Sequence, residues 1–306
     1  MYVGKVTLQN IRGFESLDFD LQRPDGSYAG WTVFTGDNGS GKSALLKAIA
    51  LGLVGRDTAR SLQPSLVGWI RQGADPKRAS IQLEIVPTLF DDQYVGPGRT
   101  PESAFPAELT LRNGGRDHTL DAVIPDGRPD GYKIPGRSIW SQEAAGWFAC
   151  GYGPFRRVFG ASPEAAGLMA VPSTARFVTM FEEAASLAEV DQWMRNLKHK
   201  ELENRSDEKA QLDLLLEILR DDLMPNQITV DRVDSDGLWL KDRNGVQLSW
   251  REMSDGYRAA LALLADIVRH MIDVFGTSGL TARGDDDKLR IVRSGVVLID
   301  EVDAHL

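Results

Sequence analysis

Eight residues, Gly36-Asp37-Asn38-Gly39-Ser40-Gly41-Lys42-Ser43, constrain this chain more than any other stretch. An apolar run, Trp31-Thr32-Val33-Phe34-Thr35, precedes them, and an amphipathic run, Ala44-Leu45-Leu46-Lys47-Ala48-Ile49-Ala50, follows. That order predicts strand, glycine-rich loop and helix, which is the setting a GxxxxGK[ST] phosphate loop requires. Backbone N–H groups must wrap a polyphosphate closely, and glycine lets the chain turn that tightly and approach that near. The helix opening at Lys42 aims the positive end of its dipole at the same point. Lys42 is then placed to reach the β- and γ-phosphates and Ser43 to ligate Mg2+, and Gly36 to Ala44 are the expected nucleotide-binding residues. A chance glycine turn would lack both flanking elements.

The 306 residues suffice for one large α/β domain or two smaller units, and 42% apolar with 26% charged residues is ordinary globular composition. A net charge of -9 weighs against nucleic-acid binding over the whole surface and leaves room only for a local basic groove. The single cysteine, Cys150, excludes an internal disulfide and fits a reducing cytosol. Its setting, Trp147-Phe148-Ala149-Cys150, predicts buried strand filler and not a nucleophile. No apolar stretch reaches the roughly 18 residues of a membrane span, and the start carries no signal-peptide pattern. The expectation is a soluble cytoplasmic protein.

Along the chain, Val3 to Leu8 and Leu17 to Leu21 alternate apolar and polar residues and predict an antiparallel pair that feeds the strand before the loop. Arg12, in the turn between them, is a candidate nucleotide contact or a solvated loop arginine. Ala79 to Pro87 reads as a strand, residues 91–106 as loop, and Glu108–Leu111 with His118–Ile124 as a hairpin in which His118 lies on the surface. Gly146-Trp147-Phe148-Ala149-Cys150 predicts a buried parallel strand ending in Gly151-Tyr152-Gly153-Pro154-Phe155-Arg156-Arg157, where two arginines suit a ligand-facing strand end or a plain turn. Residues 181–223 are helical by pattern, with an apolar stripe of Leu212, Leu215, Leu216, Leu219 and Leu223. That region is a solvated helical subdomain or a partner-binding arm. A β-meander spans residues 228–250, a long helix with an apolar stripe from Leu261 to Phe275 follows Met253-Ser254-Asp255-Gly256-Tyr257-Arg258, and 276–288 reads as polar loop.

Near the end, Val296-Val297-Leu298-Ile299 is an aliphatic strand that runs into Asp300-Glu301. Beside a phosphate loop, Asp300 would sit near Mg2+ and Glu301 near the water that attacks the γ-phosphate. Ser254-Asp255-Gly256, at a helix start, offers a hydroxyl and bare N–H groups, which is either a second anion site or an ordinary N-cap.

GDNGSGKS, an inserted helical region, MSDGYRAALALLADI and VVLIDEVDAHL, in that order, resemble the ATP-binding-cassette ATPases of the SMC and RecF group. The resemblance implies a mixed α/β phosphate-loop head with N-terminal antiparallel strands and an inserted helical subdomain. It implies ATP and Mg2+ as cofactors, Lys42 and Glu301 as catalytic residues, and Ser43 and Asp300 as metal ligands. It further implies that Ser254 and Gly256 of one head touch the γ-phosphate held by another, so that ATP joins two copies. IRGFESL, ACGYGPFRR and SDGYR are similar to ATPases of bacterial anti-phage systems of the Septu and retron-associated kind, which implies an effector partner such as a nuclease. The group carries a Gln where this chain has Tyr152-Gly153-Pro154, and a switch His that neither His270 nor His305 matches. The expected organisation is one head over 1–306, incomplete at its C-terminal side, with a phosphate-loop lobe over 1–160, a helical insertion over 161–225 and a signature lobe over 226–306. Two alternatives stay open: a DNA-repair or DNA-clamping ATPase that binds nucleic acid through Arg156 and Arg157, and an ATP-gated scaffold that does not hydrolyse.

Overall fold

A computed structural model describes residues 1–73, 79–114, 117–122, 133–155, 158, 162–221 and 227–302, with side chains at all of these except 112–114, 117–122, 133 and 164. The elements in chain order are β1 (Tyr2–Ile11), β2 (Phe14–Asp20), α1 (Lys42–Leu62), β3 (Ala79–Val86), β4 (Phe105–Gly114), β5 (Asp117–Ala122), α2 (Lys133–Gly136) and β6 (Ala149–Tyr152). Then come α3 (Pro163–Met169), α4 (Pro172–Ala175), α5 (Val178–Phe181), α6 (Ala188–Leu202) and α7 (Ser206–Arg220). The rest are β7 (Thr229–Asp234), β8 (Gly237–Lys241), β9 (Gln247–Ser249), α8 (Asp255–Phe275), β10 (Thr281–Arg283), β11 (Leu289–Ile291) and β12 (Val296–Ile299). Contacts group the chain into two units: Met1–Gly153 with Gly167–Glu183 and Ser294–Asp300, and Pro154–Ala166 with Ala184–Arg293 and Glu301–Leu306.

The first unit holds an antiparallel sheet in the order β2-β1-β3-β4-β5. Period-two alternation decides its inner face: Val6 and Leu8 of β1, Ile81, Leu83 and Ile85 of β3, and Leu109 and Leu111 of β4 are fully buried. Helix α1 packs on this sheet, most closely at Gly52, where a Cβ would lie 2.7 Å from Leu83 Cδ1, and also touches β6 and β12. The latter two form a separate parallel pair, in register from Val296↔Ala149 to Ile299↔Tyr152. All four residues of β6 are buried, as its unbroken apolar run requires, and Cys150 is buried within it.

Helix α1 is broken once. Gly55 has φ 75 and ψ 176, a conformation open in practice only to glycine. The indole of Trp140 fills the break: a Cβ at Gly55 would lie 2.4 Å from its Cγ, and its N–H donates to Gly52 O at 2.8 Å. Gly55→Ala combines backbone strain with overpacking and is expected to cost about 3 kcal/mol, read as a lowered urea midpoint at unchanged slope.

In the second unit α6, α7 and α8 pack on one another, and α6 and α7 cover the meander β7-β8-β9. Leu212, Leu215 and Leu219 are buried as the spacing predicts; Leu214 is buried too, and Leu216 only half. Leu223 lies outside the described residues.

Three expectations need correction. Trp31–Thr35 forms no regular element and has no ladder partner among the described residues, and Trp31 and Val33 are 81% and 67% exposed. Its anchor is an edge-on contact of Phe34 with Phe19 of β2, at 5.5 Å; a strand needs a neighbour's backbone, and here none pairs with it. The run at 146–150 becomes strand only at Ala149, because Trp147 has φ 51 and its N–H leaves the ladder for Asp92. Residues 281–291, read in large part as loop, form the β10–β11 hairpin, whose turn holds Asp287 at φ 59.

Candidate active site

The phosphate loop is built for an anion. Gly41 caps α1 from the left-handed region, φ 99, and a Cβ there would lie 2.8 Å from the Phe14 ring. No side chain caps the helix and no acidic residue stands in its first turn, so its leading N–H groups are left for a ligand. The Lys42 ammonium curls across the loop and donates to Gly36 O at 2.6 Å and Asp37 O at 3.0 Å. Asp37 O also accepts the Ser40 N–H at 3.1 Å, which closes the turn around Asn38 and Gly39. Gly36 to Ser40 and Ser43 are exposed, whereas Ala44 is buried at the start of the core face. Free N–H groups, a tethered ammonium and glycines where a Cβ would collide suit a polyphosphate.

Asp300 follows β12 in the same unit. It is 3% exposed, and its N–H donates to Tyr152 O at 2.9 Å, which extends the parallel pairing to the carboxylate. Lys47, one turn beyond Ser43, lies within the electrostatic reach of Asp300. Burial lowers the Lys47 pKa, the charge of Arg12 lowers it further, and Asp300, Glu183 and Glu182 oppose both. Its ammonium stands 5.8 Å from the Phe181 ring centre. Arg12, held at φ 48 by its N–H bond to Trp69 O at 2.7 Å, stacks its guanidinium on the Trp69 ring at 4.3 Å, and burial of that face lowers its pKa. The structure thus gathers Arg12, Lys47 and Asp300 beside the loop helix. Sequence reasoning missed Lys47; the one available signal was a lone cation in an otherwise apolar run. An Asp carboxylate and a Ser hydroxyl are hard oxygen ligands of the kind Mg2+ takes alongside phosphate oxygens.

In the second unit, Ser254 is the N-cap of α8, is exposed, and makes no side-chain cap bond. Asp255 pairs instead with Arg258, and Gly256 lies within the first turn. The Ser254 hydroxyl and the helix N-terminus are therefore open to an anion. Glu301, the residue after Asp300, is exposed and left-handed, with φ 47.

Residues 31–306 match the family described as "AAA domain, putative AbiEii toxin, Type IV TA system". The chain belongs to this family. It is an AAA-type ATPase domain, and its phosphate loop lies inside the matched segment. The Septu protein PtuA of Bacillus mycoides (strain KBAB4) is 22% identical over 309 residues, covering 100% of this chain and 34% of the relative. The DNA replication and repair protein RecF of Mesorhizobium japonicum is 38% identical over 74 residues, covering 24% of this chain and 17% of the relative. The chain thus spans about a third of the first relative and less of the second. Among solved structures, the Smc head domain of Pyrococcus furiosus, bound to the C-terminal domain of ScpA, aligns with a TM-score of 0.43 at 16% identity, over 100% of this chain and 83% of that one.

Two further candidates in this AAA-family chain, Tyr152 and His270, are buried. Tyr152, in the slot compared with Gln, is 1% exposed. His270 is buried on α8 with its Nε2 3.3 Å from Asp266 Oδ2. Among the described residues no cluster of His, Cys, Asp or Glu could hold a metal by itself. Arg156, Arg157, Asp303, Ala304, His305 and Leu306 lie outside the described residues, as does the side chain of His118. No described helix is long and apolar enough to cross a membrane.

Proposed function

We propose that this domain binds and hydrolyses ATP, that two copies close on the nucleotide, and that closure controls a partner effector in antiviral defence. One observation carries the reading: a helix N-terminus left bare by the left-handed Gly41, in the same unit as a buried Asp300 that ends a strand touching that helix. Backbone N–H groups from Gly36 to Ala44 hold the phosphates, and Lys42 trades its carbonyl partners for β- and γ-phosphate oxygens. Ser43 and Asp300 hold Mg2+, which when bound neutralises charge on the phosphate oxygens. Glu301 takes a proton from the water that attacks the γ-phosphorus; the bond to the β,γ-bridging oxygen breaks, and ADP and phosphate leave. Arg12 adds a second cation beside the nucleotide. The uncapped Ser254 hydroxyl and the Gly256 N–H serve the γ-phosphate of a second copy. Likeness to the Septu protein PtuA supports the defence role; an effector such as a nuclease is what the resemblance of IRGFESL, ACGYGPFRR and SDGYR to anti-phage ATPases implies.

Sedimentation in ATP and Mg2+ tests the scheme. The wild-type chain is expected to form a dimer, and Ser254→Arg to stay monomeric while its ATP affinity changes by no more than about twofold. A wild-type chain that binds ATP and remains monomeric would sink the closure of two copies.

One observation favours a second reading, a gate that binds ATP without hydrolysing it. Tyr152-Gly153-Pro154 stands in the slot where the group the sequence resembles carries a Gln, and Tyr152 there is buried. Saturable ATP binding with no phosphate release would select this reading.

A further inference from the structure

The turn after β3 carries two buried acids, Asp91 and Asp92, that the chemistry above does not use; they are 8% and 1% exposed. Asp92 Oδ1 accepts the Trp147 N–H at 2.8 Å, and its Oδ2 accepts the Thr88 N–H at 2.7 Å and pairs with the Met1 ammonium at 3.0 Å. Asp91 Oδ2 accepts the Ser294 N–H at 3.2 Å and lies 3.3 Å from the Ser294 hydroxyl. That hydroxyl accepts from the Met1 ammonium at 2.7 Å and lies 2.8 Å from Thr88 Oγ1. Trp147 and Ser294 stand at matching positions: each comes two residues before a strand, β6 and β12, whose first residues Ala149 and Val296 pair. Neighbouring carboxylates thus grip equivalent points on the leading ends of both parallel strands.

We propose that Asp91 and Asp92 are positioning residues for Asp300, stapling β6 to β12 in the register that sets where the metal carboxylate emerges. This rests on the reading of Asp300 as a metal ligand. A parallel pair only four residues long has few ladder bonds with which to specify its own register. A slip of one residue would move Asp300 by about 3.3 Å along the strand and turn its side chain to the other face. Mg2+ accepts oxygen ligands only near about 2.1 Å in octahedral array, so a slipped carboxylate is lost to it. The staple acts at one end of the strands and the ligand sits at the other, joined by the ladder whose last bond runs from the Asp300 N–H to Tyr152 O.

The test separates metal binding from nucleotide binding and from stability. Calorimetry measures Mg2+ affinity with a non-hydrolysable ATP analogue bound, alongside analogue affinity in EDTA and the melting temperature. Asp91→Asn and Ser294→Ala are expected to weaken Mg2+ binding about tenfold, as loss of supporting contacts around a metal ligand does. Analogue affinity in EDTA should hold, and Ser294→Thr, which keeps the hydroxyl, should restore Mg2+ binding. If Asp91→Asn does not fold, the Ser294→Ala and Ser294→Thr pair decides alone. A lowered melting temperature with Mg2+ affinity unmoved would reduce the acids to a structural role and overturn the proposal. Wild-type Mg2+ affinity in Asp300→Asn would overturn the metal-ligand reading itself, and the staple's function with it.

Discussion

Glu301→Gln is expected to slow phosphate release by two to three orders of magnitude, roughly what a positioned general base contributes, while the ATP-bound dimer persists. The amide keeps the length and planarity of the carboxylate and can still hydrogen-bond a water, but it cannot accept that water's proton at neutral pH. ATP then remains uncleaved, and the two copies stay closed on it for longer. Glu301 is well suited to act on water: it is exposed and follows directly on the buried Asp300. Its left-handed φ of 47 is uncommon for a residue with a Cβ, and such backbone strain collects at functional sites. Single-turnover phosphate release and light scattering on the same sample read both halves. A variant that no longer dimerises, or one that turns over like wild type, removes Glu301 from the proposed role.

Lys42→Met is expected to raise the Kd for ATP about 100-fold, the equivalent of roughly 3 kcal/mol and the upper end for hydrogen bonds made to a charged group. The ammonium donates to two loop carbonyls, at 2.6 and 3.0 Å. Binding exchanges those neutral acceptors for phosphate oxygens, which gives a shorter and stronger charge-assisted bond. Methionine matches the stem of lysine and removes the charge. The carbonyls it abandons belong to exposed Gly36 and Asp37, where water can satisfy them, so the melting temperature should barely move. Calorimetry with ATP and a melting curve separate lost affinity from lost fold. Unchanged affinity would mean that the loop is not the nucleotide site.

Local patterns carried most of the architecture. The β1–β2 pair, the meander, α8, β12 and the glycine loop opening α1 all follow from alternation, helical spacing and turn chemistry within a few residues. Buried Cys150 followed from its apolar neighbours. The failures share one cause. Trp31–Thr35 has the composition of a strand, yet a strand exists only where a second backbone pairs with it, and composition does not report a partner. Trp147 reads as strand interior, but a carboxylate fifty-five positions earlier takes its N–H. Lys47 reads as the polar side of a helix, and only packing brings Asp300, Arg12 and Glu183 within range of its charge.

By itself, the sequence determined the glycine loop and the helix start that the proposed anion site needs, because both consist of consecutive residues and are local. It also determined which faces of the strands and helices turn inward. Only the tertiary structure decided which acids serve together: that Asp300 joins the unit of the phosphate loop, and that Asp91 and Asp92 hold the leading ends of its strand and of the partner strand. The reason is physical. Burial leaves a periodic trace along a chain, whereas a hydrogen bond between residues some two hundred positions apart leaves none in the sequence around either partner.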